Sequence, residues 1–287
     1  MTLGLSPQAW KKVHKATLFV ITAVVVVITV LPILWMVINS LQTSNDITLG
    51  IIRWDKLQWA NYRNMWINVK FWVYFRNSLI ICGVTTLCAG IFATMAGYAM
   101  ARYRFRGADS YSYATMATQM IPGMMFLLPI YMMYLWIKET FGLPMINTYW
   151  GMAVVYTAFY TPMSIWIMRG FFATIPKEME EAALIDGCSP FQAFRRVVLP
   201  LAKPGLIATS VYIFLTAWDE LLFAWALTTN TAAATVPVGI RLYVGQFQNR
   251  YDLLMAAATI STIPVLITFF VSQKYFISGM TAGSVKG

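Results

Sequence analysis

The chain of 287 residues is 59% hydrophobic and 11% charged, with a mean hydropathy of +0.63. Soluble domains average about 25% charged residues, so this composition excludes a soluble protein and points to an all-α integral membrane protein. The net charge of +10 does not indicate nucleic acid, because the cations flank apolar runs, where membrane topology accounts for them.

Taken in order, the chain opens with a basic tail, Trp10-Lys11-Lys12 and Lys15, and then a first apolar run over residues 17–39. At ~1.5 Å per helical residue, about 20 residues cross a ~30 Å hydrocarbon core, so this run spans. It is too long for a signal peptide, and no small-residue cleavage site follows it. The interval 40–76 is amphipathic and carries Trp54, Trp59, Tyr62, Trp66 and Trp72. Such side chains favour the membrane–water boundary, which predicts a surface-lying segment. Further spans are predicted over residues 77–101, 110–135, 148–172, 206–228 and 252–275. Pro122 and Pro129 interrupt the third, Pro162 the fourth and Pro264 the last; backbone freed in this way is tolerated where it faces protein or a watery cavity.

Six spans put both termini on one side. That side carries Lys11, Lys12, Lys15, Arg102, Arg104, Arg106, Lys177, Arg195 and Arg196, among others. The opposite side's cations, such as Arg53, Lys56 and Arg63, lie mostly in longer loops, where the positive-inside rule is weaker. The first side is therefore expected to be cytoplasmic. The chain reads as one transmembrane domain over residues 1–287: an N-terminal span and outer segment (1–76), a five-helix core (77–276) and a cytoplasmic tail (277–287).

The longest polar interval of the second half, residues 176–205, lies between the fourth and fifth spans. Pro176 suits a helix start, and Glu178, Glu180 and Glu181 sit where a helix N-terminus favours negative charge. Gly187 is placed as a stop, since glycine takes the left-handed conformation without penalty. Ser189-Pro190 reads as the cap and first position of a second short helix. Pro200 is expected to end that helix, and Pro204 to open the next span. Met179, Ala182, Ala183 and Asp186 fall at spacings of three and four and so share one face of the first helix. That small, flat strip suits docking against another protein; it also suits a loop helix packed on its own bundle.

Catalysis has little support. His14 is the only histidine and lies in the N-terminal tail, and Cys82, Cys88 and Cys188 lack metal-ligand spacing. No G-x-x-x-x-G-K-[ST] occurs, so any ATP hydrolysis belongs to a separate chain. Trp218-Asp219-Glu220 places two carboxylates in the fifth span, where Asp costs roughly 2.5–3.5 kcal/mol at the helix centre; both are expected to face the bundle interior as part of a solute pathway. The loop over residues 229–251 is long for a helix connection. Thr235-Val236-Pro237-Val238-Gly239 suggests an extended or turn segment, and Gln246, Gln248 and Asn249 could hydrogen-bond a ligand's hydroxyls or a protein surface.

The order Glu181-Ala182-Ala183, three residues, Gly187, nine residues, Val197, one residue, Leu199-Pro200 resembles the EAA signature of ABC import permeases, with Val197 in place of the usual Ile. Tyr98-Ala99-x-Ala101-Arg102-x-x-Phe105-x-Gly107 resembles the turn after the second span of carbohydrate permeases. Ile121-Pro122, Pro129-Ile130-Tyr131 and Arg169-Gly170-Phe171-Phe172 also fit. Trp218-Asp219-Glu220 resembles the family's Trp-Asn-Glu, with Asp219 replacing Asn. The ending from Gly279 to Gly287 is similar to the tail of maltose-type (MalG-like) subunits.

The resemblance covers nearly all of the chain. It implies a sugar or oligosaccharide importer subunit without a cofactor of its own, ATP and Mg being bound by partner ATPases. The implied partners are a second, homologous permease forming a heterodimer, two ATPase subunits and an extracytoplasmic solute-binding protein, in membrane lipid and without nucleic acid. A non-sugar solute, such as a glycerol phosphodiester or polyol, is the alternative cargo. Met179, Glu181, Ala182, Ala183, Asp186 and Gly187 are the implied ATPase contacts. The tail, including Lys286, is expected to reach the ATPases, and the loop with Gln246, Gln248 and Asn249 the binding protein.

Two outcomes follow for the assembled complex. Gly187→Pro removes the helix stop and should abolish ATPase association or coupling while the membrane domain still folds, as read by co-purification and uptake. Deleting residues 281–287 should lower the ATPase stimulation given by loaded binding protein; unchanged stimulation would leave the tail without that role.

Overall fold

The computed structural model describes residues 7–103, 105–243 and 249–283. Among them the regular elements are all helical. They divide into two units, one drawn from Met1–Val69 and Tyr243–Ile260, the other from Lys70–Leu242 and Ser261–Gly287.

In the first unit, α1 (Pro7–Ser40) is followed by two short helices, α2 (Ser44–Leu49) and α3 (Ala60–Asn68). The spanning stretch of α1 is apolar on every side and buries nothing within the chain, as expected of a helix facing lipid or another subunit. Where α1 ends, polar side chains take over the free carbonyls. Asn61 Nδ2 donates to Ser40 O (2.9 Å) and Gln42 O (2.8 Å), and Ser40 Oγ pairs with Tyr62 OH at 2.6 Å. Thr43 caps α2 and donates to Asp46 Oδ2 (2.7 Å), and Arg53 Nε donates to the other oxygen (2.9 Å). The Thr43 hydroxyl first, and then Arg53, hold the Asp46 carboxyl below its usual range against the effect of burial. Trp54 and Trp59 remain exposed, as the amphipathic composition of this interval suggests.

The second unit is built on α4 (Phe71–Arg102) and α7 (Tyr149–Thr174). The second span thus begins ahead of the predicted residue 77. Small residues recur every fourth position along the buried face of α4, at Ala89, Ala93 and Gly97. In lipid, helices associate through such close approach rather than through hydrophobic burial. A Cβ at Gly97 would stand 2.8 Å from Met168 Cβ and 2.9 Å from Arg169 N. Met100, Ile165, Met168, Phe172 and Val198 complete the core around this crossing.

The third predicted span is broken rather than kinked. Between α4 and α7, α5 (Ala108–Thr118) stops before Pro122. A 3₁₀ turn (Gly123–Phe126) follows, and α6 (Leu127–Phe141) leaves at 87° to α5. Pro122 has no N–H with which to continue the ladder, whereas Pro129 sits in the first turn of α6, where none is required. Pro162 and Pro264 lie inside unbroken helices.

Beyond α7 come α8 (Lys177–Ile185), α9 (Pro190–Ala193), a π-helical segment (Phe194–Val198) and α10 (Leu199–Leu201). Pro200 does not end the second short helix as expected. The helix runs through it to Leu201, and the chain then turns by 72° into α11 (Lys203–Trp218). The turn ahead of Pro200 widens into the π form, consistent with the missing proline N–H. With 16 residues, α11 covers only ~24 Å. The predicted fifth span is interrupted at Asp219-Glu220, and a separate helix, α12 (Leu222–Leu227), follows.

The segment after α12 departs from the expected extended connector. Residues 236–241 form α13 (Val236–Arg241), with Pro237 in its first turn, where the missing N–H carries no penalty. Ala233, Ala234, Thr235 and Val236 are buried. Asn77 Nδ2, near the start of α4, donates to Thr231 O and Ala234 O (both 3.0 Å), Val236 N donates to Ser78 Oγ (2.8 Å), and Gly239 packs on the Tyr74 ring. The last helix, α14 (Tyr251–Gly283), continues beyond the predicted end at residue 275, so the first residues of the predicted tail extend the span as helix.

Among the described residues four helices are long and apolar enough to cross a membrane, and counting each bent pair as one span gives six. The α4–α7 crossing generates a stability test. Gly97→Val forces the helices apart and should cost about 1–3 kcal/mol, read as a lower Tm in detergent. Gly90→Ala, whose Cβ would meet nothing within 4 Å, should leave Tm unchanged or slightly higher. Equal Tm values for both variants would refute the close approach.

Candidate functional site

The interval singled out in the sequence folds as two short helices around a left-handed glycine. Gly187 has φ 88°, and behind it Gly187 N donates to Leu184 O (3.1 Å) and Cys188 N to Ala183 O (3.0 Å). This pair of bonds closes α8 in the Schellman manner. Ser189 opens α9 with a reciprocal box: Gln192 N donates to Ser189 Oγ (3.3 Å) and Ser189 N to Gln192 Oε1 (2.9 Å). Both stops come from local chemistry, which is why they were legible.

The four residues assigned to one docking strip do not all face outward. Met179, Ala182 and Asp186 are exposed, as are Glu181 and Gly187, but Ala183 is buried against its own chain at 7% exposure. The open surface is instead widened by Ile185, 87% exposed, and Phe191, 69% exposed. Ile185 and Phe191 are thus large apolar side chains left exposed on the two short helices.

The inward side of α8 is held by a charge. Arg102 Nε donates to Glu180 Oε2 (2.9 Å), Tyr98 OH donates to Glu180 Oε1, and an Arg102 terminal nitrogen donates to Ile175 O (3.1 Å) at the end of α7. Sequence reasoning placed Glu180 only as a helix-start charge and left Arg102 in a separate motif.

Within the bundle, Trp218 is buried. It stacks on Phe214, meets the Phe75 edge, and donates through Nε1 to Ser261 O (3.2 Å). The two carboxylates after it part ways. Glu220 points inward, where its oxygens accept from Tyr156 OH (2.8 Å), Phe223 N (3.0 Å) and Ala224 N (3.1 Å). It therefore satisfies the opening donors of α12. Asp219, expected to face the interior with Glu220, lies at the end of α11 and is exposed. Asn249 is exposed, and its carbonyl accepts from Ser44 Oγ (2.6 Å). Gln246, Gln248 and Lys286 lie outside the described residues. The described residues contain no cluster of His, Cys, Asp or Glu suited to a metal ion.

Comparison with known proteins bears on this arrangement. Residues 89–282 match the family described as binding-protein-dependent transport system inner membrane component. The chain is 35% identical to the diacetylchitobiose uptake system permease protein DasC of Streptomyces coelicolor, over 93% of this chain and 96% of that one. It is 34% identical to the trehalose transport system permease protein SugB of Mycobacterium tuberculosis, with the same coverage, 93% and 96%. It is 33% identical to the trehalose/maltose transport system permease protein MalG of Thermococcus litoralis, over 96% and 99%. Among solved structures, a chain of a bacterial ABC transporter involved in the import of the acidic polysaccharide alginate superposes with a TM-score of 0.76 at 20% identity, covering 96% of this chain and 100% of that one. The fold is thus that of an ABC importer membrane subunit, and the chain belongs to the family of binding-protein-dependent transport system inner membrane components.

Proposed function

We infer that this chain is the permease subunit of an ATP-driven importer of a sugar or oligosaccharide. The observation that carries the reading is that three relatives, 33–35% identical over at least 93% of this chain, are each named for uptake of a disaccharide. The exposed strip on α8 and α9 supports it, because a cytoplasmic ATPase needs a surface to grip and the strip supplies apolar side chains on a rigid support.

The complex implied holds a second permease, two ATPase chains that bind ATP and Mg, and a binding protein on the far side, with both termini of this chain cytoplasmic. ATP closes the ATPase pair, α8 follows through Met179, Glu181, Ala182, Asp186 and Gly187, and the spans swing to open the cavity outward. Loaded binding protein then delivers its solute. Asp219, exposed at the break after α11, is the available carboxylate for a passing solute, whereas Glu220 is committed to α12.

The test is uptake of labelled disaccharides by the complex reconstituted in vesicles with its partner permease, ATPases and binding protein. Uptake dependent on ATP and on the binding protein is expected for at least one disaccharide or oligosaccharide. Accumulation of only a glycerol phosphodiester or a polyol would overturn the sugar assignment.

A further inference from the structure

Two adjacent glutamates on α8 face opposite ways. Glu181 is exposed. Glu180 turns inward, and its ion pair with Arg102 is largely closed to solvent, the Arg102 side chain being 6% and the Glu180 side chain 15% exposed. We propose that the Glu180 carboxylate, gripped by Arg102 and Tyr98, is the link through which displacement of α8 reaches the spanning helices. The proposal rests on the reading of α8 as the ATPase docking helix and assigns to Glu180 a positioning role that the docking strip itself does not supply.

Two chain connections also join α8 to its neighbours. On one side it follows α7 after only Ile175 and Pro176; on the other it ends at Gly187, around which a Cβ would meet nothing within 4 Å. Both connections are backbone turns, about which a short helix could tilt without carrying the spans along. The Glu180 cluster removes that freedom. Arg102 belongs to the last turn of α4, and it holds Glu180 of α8 and the Ile175 carbonyl at the end of α7 at once, at 2.9 and 3.1 Å. A guanidinium suits this task because its donors lie in a fixed plane.

The Tyr98 ring, one turn earlier on α4, lies 5.5 Å from Phe172 of α7 and 4.6 Å from Phe194 of the π segment, centroid to centroid. Its hydroxyl donates to the remaining Glu180 oxygen. Four elements therefore converge on one carboxylate. Gly97, the residue next to Tyr98, makes the close α4–α7 contact, so a force on α8 enters a packed pair of helices rather than a single one.

The experiment uses the reconstituted complex and reads solute taken up per ATP hydrolysed. Glu180→Gln keeps the shape of the side chain and removes its charge, while Tyr98→Phe removes one hydrogen bond and keeps the ring packing. Both variants should co-purify with the ATPases and hydrolyse ATP, with uptake per ATP reduced roughly tenfold, a typical size for coupling between sites. The exchanged pair Glu180→Arg with Arg102→Glu should recover part of the loss seen with either single exchange. A purely structural role predicts that hydrolysis and uptake fall together at constant ratio, and that result would overturn the proposal. Wild-type uptake per ATP in both mild variants would overturn it as well. Failure of the unaltered chain to co-purify with any ATPase is a separate result and would remove the docking reading itself.

Discussion

Inside a bilayer there is no water to take up a backbone N–H or C=O that its own helix leaves free. The break after α11 and the starts of two spans are met by side chains. After α11 stops at Trp218, the Glu220 carboxylate receives the first N–H groups of α12. At the start of α7, Thr148 Oγ accepts from Gly151 N, and Tyr134 OH donates to Gly151 O. At the head of α4, Asn77 Nδ2 serves two carbonyls of the segment after α12, while its Oδ1 accepts from Tyr149 OH. Glu220 and Asn77 thus support backbone through their side chains, and Asp219 is the exposed neighbour of the first.

The same constraint gives α4 its place in the second unit. One end holds the segment around Ala233 and Ala234 through Asn77 and Ser78. The middle crosses α7 at a glycine, and the other end carries Tyr98 and Arg102. A single 32-residue helix therefore reaches from the connector after α12 to α8. Its side chains are small where it meets α7 and polar at both ends, which suits a rigid member held at three points.

What the sequence made legible was the chemistry that acts over a few residues. Gly187, the Ser189 box and Pro204 at the start of α11 follow from rules of local backbone conformation, and hydropathy finds the long helices because a bilayer asks only for length and apolarity. What stayed hidden depends on partners far along the chain. That Ala183 faces inward follows from the Glu180–Arg102 pair on the same side of α8, which periodicity alone does not orient. The break at Asp219 escaped because an apolar run reads the same on either side of it, and only Glu220 and Tyr156 make the interruption tolerable. The stretch around Pro237 reads as an extended or turn segment, yet at the first turn of α13 the proline is a helix opener. The burial of that segment is decided by Asn77, more than 150 positions earlier.

The pairing of Arg102 with Glu180 also bears on how the protein is made. The two residues are 78 positions apart, and at ~5–20 residues per second of synthesis Arg102 waits on the order of ten seconds for its partner. Through that interval Arg102 stands at the end of α4 without its carboxylate, and a cation beside a span is what the positive-inside rule weighs in setting orientation. The charge that ends nearly buried in the folded chain is thus open while the chain is being made, until α8 folds back and supplies the carboxylate.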